Sequence, residues 1–199
     1  MKIRMGLIAV LLALPVFATA QDSTPSASSM SKTSSADIEL SDLIVRFAKR
    51  TGKKFIIDPR VRAQGTLAGM DPDRISYEQL LAILNVHMYA AVAQGDWIVV
   101  VPDANARQLP TPVYTNAKFT AAGDEIVTLV LHVKNICAAQ AVPVLRPLMP
   151  QAAHMAAYTD INTLILTDHA ANLRRLATII EALERDAPAG RGCESMKKD

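Results

Sequence analysis

The apolar residues of this chain change period several times, and the order of those changes limits the fold more than any other feature. Leu40, Leu43, Ile44, Phe47 and Ala48 share one face of a helix. Gly52 ends that helix, because glycine readily takes the left-handed conformation a helix C-terminus needs. Residues 54–57 then read as a short strand, closed by Asp58-Pro59, and residues 65–70 as a weaker one. Ser76 and Gln79 have capping-box spacing and open a second helix with Tyr77, Leu80, Leu81 and Leu84 on one face. Residues 89–93 and 97–101 alternate around Gln94-Gly95-Asp96 and predict a hairpin. The order is (β)αββαββ, spanning residues 36–104.

Residues 105–124 read as a linker stiffened by Pro110 and Pro112 and ended by Gly123-Asp124. A second unit, residues 125–187, follows with the order βαββα. Val127, Leu129, Leu131 and Val133 alternate with more polar residues as a half-buried strand. A helix from about Ala138 carries Pro143 and Pro147 and should be irregular. Residues 154–158 and 163–166 are strands around a turn at Thr159-Asp160. Asp168 is expected to cap a last helix whose stripe is Leu173, Leu176, Ile179, Ile180 and Leu183. The fold class is therefore α/β (α+β), in two small mixed domains.

The first twenty residues have the pattern of an export signal: Lys2 and Arg4, an apolar run from Gly6 to Phe17, and Ala18-Thr19-Ala20 for cleavage. Residues 21–35 are rich in serine and threonine and predict a disordered leader; residues 188–199 predict a disordered tail. Cleavage removes Lys2 and Arg4 and leaves basic and acidic side chains in balance. A neutral chain lacks the basic surface that nucleic acid requires. After cleavage no segment should span a bilayer as a helix. Export places Cys137 and Cys193 in an oxidising compartment. They could form an internal disulfide, whose loop of about 55 residues would add about 4 kcal/mol. Free or intermolecular thiols are the alternative.

Catalytic and metal readings find little support. Cys137 has no His and Asn/Asp pattern of a thiol nucleophile around it. The four histidines lack paired short spacing for zinc. His132 falls on the outward face of its strand, and alanine at His132 or His169 is expected to leave stability nearly unchanged. Leu148 is read as core, so Leu148→Asp is expected to unfold the second domain. Trp97 is read as core as well; its strand, if at a sheet edge, offers β-augmentation. Lys49, Arg50, Lys53 and Lys54 gather at the end of the first helix. They complement the helix dipole, or they form a docking patch for an acidic partner.

Residues 48–53, 55–61, 84–87 and 89–92, followed by Lys134-Asn135, residues 145–148 and 162–165, Asp168, Ala171-Asn172 and Arg175, form an ordered series. Their order and spacing resemble the two N-terminal periplasmic domains of the type II secretion secretin, general secretion pathway protein D. The resemblance implies a first domain like the signalling domain of TonB-dependent receptors and a second, KH-like βαββα domain. The Gly-x-x-Gly loop with which KH domains grip RNA is missing. It implies no enzyme and no cofactor. The role implied is a periplasmic component, associated with an outer-membrane secretin complex, that docks secretion subunits through strand edges and helix faces. The partners implied are the inner-membrane clamp protein C, secretin subunits and exported substrate, with self-association open. Asp37 and Ile38 fall on the docking strand. Residues 33–38 depart from the family there, having almost no apolar content, which weakens the expected docking edge. The third repeat and the pore domain are not found. A relic secretin, or an exported signalling or binding module outside secretion, is the other reading.

Overall fold

A computed structural model describes residues 35–189 and 193. The export signal, and nearly all of the predicted leader and tail, lie outside those residues. Two lobes make up the described chain.

The first lobe begins with strand β1 (Ser35–Glu39) and helix α1 (Leu40–Thr51). Leu40, Leu43, Ile44 and Phe47 are the buried face of α1, and Gly52, at φ 72°, closes it by donating its N–H to Ala48. Strands β2 (Lys54–Ile57) and β3 (Gln64–Ala68) follow. Helix α2 (Tyr77–Val86) opens on a complete capping box: Ser76 Oγ accepts from Gln79 N at 3.1 Å, and Gln79 Oε1 accepts from Ser76 N at 2.8 Å. Strands β4 (Tyr89–Gln94) and β5 (Trp97–Pro102) form the hairpin. β1 pairs antiparallel with β3, while β5 lies between β2, parallel to it, and β4, antiparallel. Leu80, Leu81 and Leu84 of α2 meet the α1 stripe over Ile98 and Val100.

The second lobe adds α3 (Asp103–Ala106), β6 (Val113–Tyr114), β7 (Ile126–His132), α4 (Ala138–Leu145), β8 (His154–Tyr158), β9 (Thr163–His169) and α5 (Ala170–Asp186). Its four-stranded sheet has the order β6-β7-β9-β8. Both long helices pack on one face, through Ala138, Ala141 and Leu145 of α4 and Leu173, Leu176 and Ile180 of α5. Pro143 sits inside α4, and a 3₁₀ turn at Arg146–Leu148 succeeds it, the irregularity expected of two prolines. A small cluster of Ala90, Val92, Val101, Ala106 and Ile126 joins the lobes.

Several expectations are corrected. Residues 105–124 are not a free connector: β6 extends the second sheet, and Tyr114 stacks on buried Phe119 at 4.8 Å. Two strand residues are too few to show a period. The apolar-poor start of the first lobe forms strand β1, paired over five residues with β3, because cross-strand pairing and the anchoring of Ile38 on the core replace the missing apolar side chains. Leu148 is 41% exposed; Leu145, at 1%, fills the place assigned to it. Leu183 is 42% exposed, on the side of α5 where it lines a hollow with Ala141 and Val144 of α4. Trp97 is 48% exposed, and its strand is central rather than at an edge. β9 runs on to His169, so His169, and not Asp168, occupies the N-cap of α5.

Candidate functional site

The surfaces that can act lie at three places. The first is the β1–β3 ribbon. Thr66 Oγ1 donates to Asp37 Oδ1 across it at 2.6 Å. Ile38 points the other way and packs on the first core. Asp37 is therefore presented to solvent by a strand whose opposite face is anchored.

The second place is the end of α1. Lys49, Arg50, Lys53 and Lys54 are all exposed. Lys49 and Arg50 stand in the last turn, where cations offset the helix dipole. Arg50 donates to the carbonyl of Ile75, with its guanidinium 5.2 Å from the Phe47 ring centre. Lys53 lies 5.3 Å from the ring of Tyr77, and Lys54 lies 5.1 Å from the ring of Trp97. Dipole complementation thus accounts for Lys49 and Arg50, whereas Lys53 and Lys54 lie beyond the helix and stack on rings. A hollow of about 400 Å³ opens beside them, lined by Lys53, Lys54, Tyr77, Asp96 and Glu125 among others. Burial, aided by the charge of Glu125, pushes the Tyr77 hydroxyl up to about 12.

The third place is the loop end of the second lobe. Cys137 and Cys193 are joined as a disulfide, so neither is a thiol nucleophile. Asn162, at φ 47°, is woven into the same region. Its Nδ2 donates to the carbonyls of Val133 and Ile136, each at 2.8 Å, and its Oδ1 accepts from Ala138 N at 2.8 Å. Ala138 begins α4, so Asn162 caps that helix from a distant loop. Glu184 accepts from the backbone N–H groups of Lys134, Asn135 and Ile136 at 2.8–2.9 Å. Desolvation would push its carboxyl up, but the three N–H bonds outweigh that and hold it below the usual range. Glu184 carried no signal in the sequence, because its partners lie 48 to 50 residues away.

Between the lobes lies a group of titratable side chains. Asp168 is 2% exposed and His169 7% exposed, with His169 Nδ1 3.3 Å from Asp168 Oδ1. Asp168 also accepts from Asn172 Nδ2 at 2.5 Å. Asn85 of α2 donates to Asp124 Oδ1 at 2.6 Å. Desolvation pulls the His169 imidazole down, but the Asp168 hydrogen bond and the charges of Asp103, Asp168 and Asp124 leave it raised. Burial raises Asp103. The Asp168–His169 pair is thus a buried element of the joint, a setting that argues against the expectation that alanine at His169 leaves stability nearly unchanged. His132 is exposed, its Nδ1 2.8 Å from the Ile161 carbonyl. Among the described residues no group of three or more His, Cys, Asp or Glu could hold a metal ion. Among them, too, no helix is long and apolar enough to cross a membrane.

The described residues thus form two α/β lobes with strand edges and stacked cations at the surface and with a buried Asp168–His169 pair at their joint. Comparison with known proteins specifies their kind. Residues 33–101 match the model of the GspD-like N0 domain, and residues 128–189 match the bacterial type II/III secretion system short domain. The chain belongs to the secretin family and carries the N-terminal domains of its type II secretion members. Secretin XcpQ of Pseudomonas aeruginosa is 32% identical over 152 residues, covering 75% of this chain and 22% of that protein. Secretin PulD of Klebsiella pneumoniae is 31% identical over 153 residues, covering 73% and 23%. The chain thus spans less than a quarter of the length of these relatives. A solved Klebsiella pneumoniae type II secretion system outer membrane complex, of PulD, PulS and the PulC HR domain, superposes with a TM-score of 0.65 at 29% identity, covering 77% of this chain and 26% of the solved one. Both matching models describe secretion-system domains, and neither is an enzyme family.

Proposed function

We propose that this chain is a non-enzymatic, periplasmic component of a type II secretion apparatus that works by docking other secretion subunits. The observation that carries this reading is the joint match of both lobes, in order, to secretin N-terminal domains. In the finer assignment the first lobe is of the kind found in TonB-dependent receptor signalling domains, and the second is KH-like, with its βαββα order in β7, α4, β8, β9 and α5. The β1–β3 ribbon, with Asp37 outward and Ile38 anchored, is the docking edge for the inner-membrane clamp protein C. Secretin subunits and exported substrate are the other partners, reached through helix faces and self-association. The solved relative whose complex includes a PulC HR domain supports the first of these.

The test is calorimetric titration of residues 21–199 with the periplasmic region of the clamp protein from the same cell. Binding that Asp37→Lys weakens, with the circular dichroism spectrum unchanged, is the expected result. A well-folded chain that binds neither the clamp protein nor a pore-bearing secretin would overturn the proposal.

A further inference from the structure

The β1–β3 ribbon is not the sole unpartnered strand of the first lobe. β2 pairs with β5 on one side, and among the described residues no strand covers its other edge. Such an edge presents backbone donors and acceptors ready to receive another strand. Its side chains are unusual for a solvent face. In the parallel register Lys54 stands opposite Trp97 and Ile56 opposite Val99, so these four share one face of the sheet. Ile56 is 50% exposed, and Trp97 nearly as much. The rest of that face, at Val92 and Val101, is covered by Ala106 and Ile126 at the joint. Ile56 on the open strand, and Trp97 on the central strand beside it with only Lys54 over its ring, are therefore left about half exposed.

Charge indicates what would cover them. Residues 49–54 hold four cations and no acid. None of the four lies within ion-pair distance of a carboxylate among the described residues. Asp58, just past β2, is already held by Arg60 at 2.8 Å and does not neutralise them. Asp96 and Glu125 line the same hollow as Lys53 and Lys54, two acids against the run of four cations.

We propose that the β2 edge is a second docking site, separate from the β1–β3 ribbon, for an extended peptide segment of a partner protein in which acidic and apolar side chains alternate. The backbone adds a strand beside β2. Apolar side chains cover Ile56 and Trp97 on the face that also carries Lys54, and the period of two turns the carboxylates to the other face, toward Lys53.

Trp97 is the only tryptophan in the chain, so its fluorescence reports on this site alone. The probe is an acetylated, amidated heptapeptide alternating glutamate and valine, titrated into the full chain, with a lysine–valine peptide as control. A saturable blue shift with the acidic peptide only, amide protection over Lys54–Ile57, and binding about tenfold weaker in the Lys53→Glu/Lys54→Glu variant are expected. An equal shift with the lysine peptide would overturn the proposal, as would protection confined to β1 and β3. So would the absence of a saturable shift in a chain that still melts cooperatively. The clamp-protein titration is independent of all these outcomes, because its contact lies on the other sheet.

Discussion

The two lobes use similar elements and finish their surfaces differently. The first ends its strands in open edges, with Lys53 and Lys54 over the rings of Tyr77 and Trp97 and with Ile56 and Trp97 about half exposed. The second ties its loops down. Glu184 holds three backbone N–H groups, Asn162 holds two carbonyls and the start of α4, and a disulfide joins that start to Cys193. The contrast separates two duties. The first lobe leaves strand edges and cations exposed, the surface that the proposed docking would use, whereas the second uses its polar groups to hold its own shape. Asn172 and Arg175 illustrate this second use. Both donate to the carbonyl of Leu148, at 3.2 and 2.6 Å, and so fix the irregular turn after α4.

The comparison is most sharply tested in the second core. Leu145, the last residue of α4, is buried, whereas Leu148, three residues on, is 41% exposed. Leu145→Asp should cost more than about 4 kcal/mol, because it buries an unpaired charge. Leu148→Asp should stay within about 0.5 kcal/mol, the range of an ordinary surface substitution. Urea unfolding of both variants checks the pair, and equal losses would mean that the turn at Arg146–Leu148 packs inward.

Next in size is the disulfide. It closes a loop spanning 56 residues of sequence. Replacing both cysteines with serine should lower stability by about 4 kcal/mol, chiefly by freeing the unfolded chain. If the second lobe is the braced one, hydrogen exchange in β7, β8 and β9 should quicken while that in α1 and α2 does not. Equal quickening in both lobes would mean that the joint transmits the loss and that bracing is not local.

Much of this architecture was legible. Gly52, the Ser76–Gln79 capping box and the stripe of Leu173, Leu176 and Ile180 carry their reasons in their spacing. Period alone assigns a face and does not say how much of it is covered, which is why Leu183 and Leu148 were misplaced. Trp97 was read as core from its apolar neighbours, yet alternation puts it on the face opposite Ile98 and Val100. The docking surfaces were half legible. The cation run is visible in sequence, but the open edge of β2 depends on which strand ends up central, and only the tertiary pairing decides that. Glu184 and the Asn162 web join residues far apart in the chain and have no local signature.

The joint between the lobes yields the smallest effect and the most specific. His169 faces Asp168 on its own strand, Asp103 at the start of α3 and Asp124 in the loop bonded to Asn85. After desolvation, which lowers it, these carboxylates leave its imidazole raised above the ordinary 6.5. The folded chain therefore holds that proton more tightly than the unfolded chain. The stabilisation is fully present below the ordinary value and is lost as pH rises through the raised one. Asp103, raised by burial, also favours the protonated fold, but its window begins near its own ordinary value of 3.8, well below that of His169. Stability measured by urea unfolding should accordingly decline as the pH rises above the ordinary imidazole value, and the decline should shrink in His169→Asn. A variant that keeps the full decline would assign it to another group. Flat behaviour in both chains would mean that His169 is neutral in the fold and that the lobes are joined by the apolar cluster around Ile126 alone.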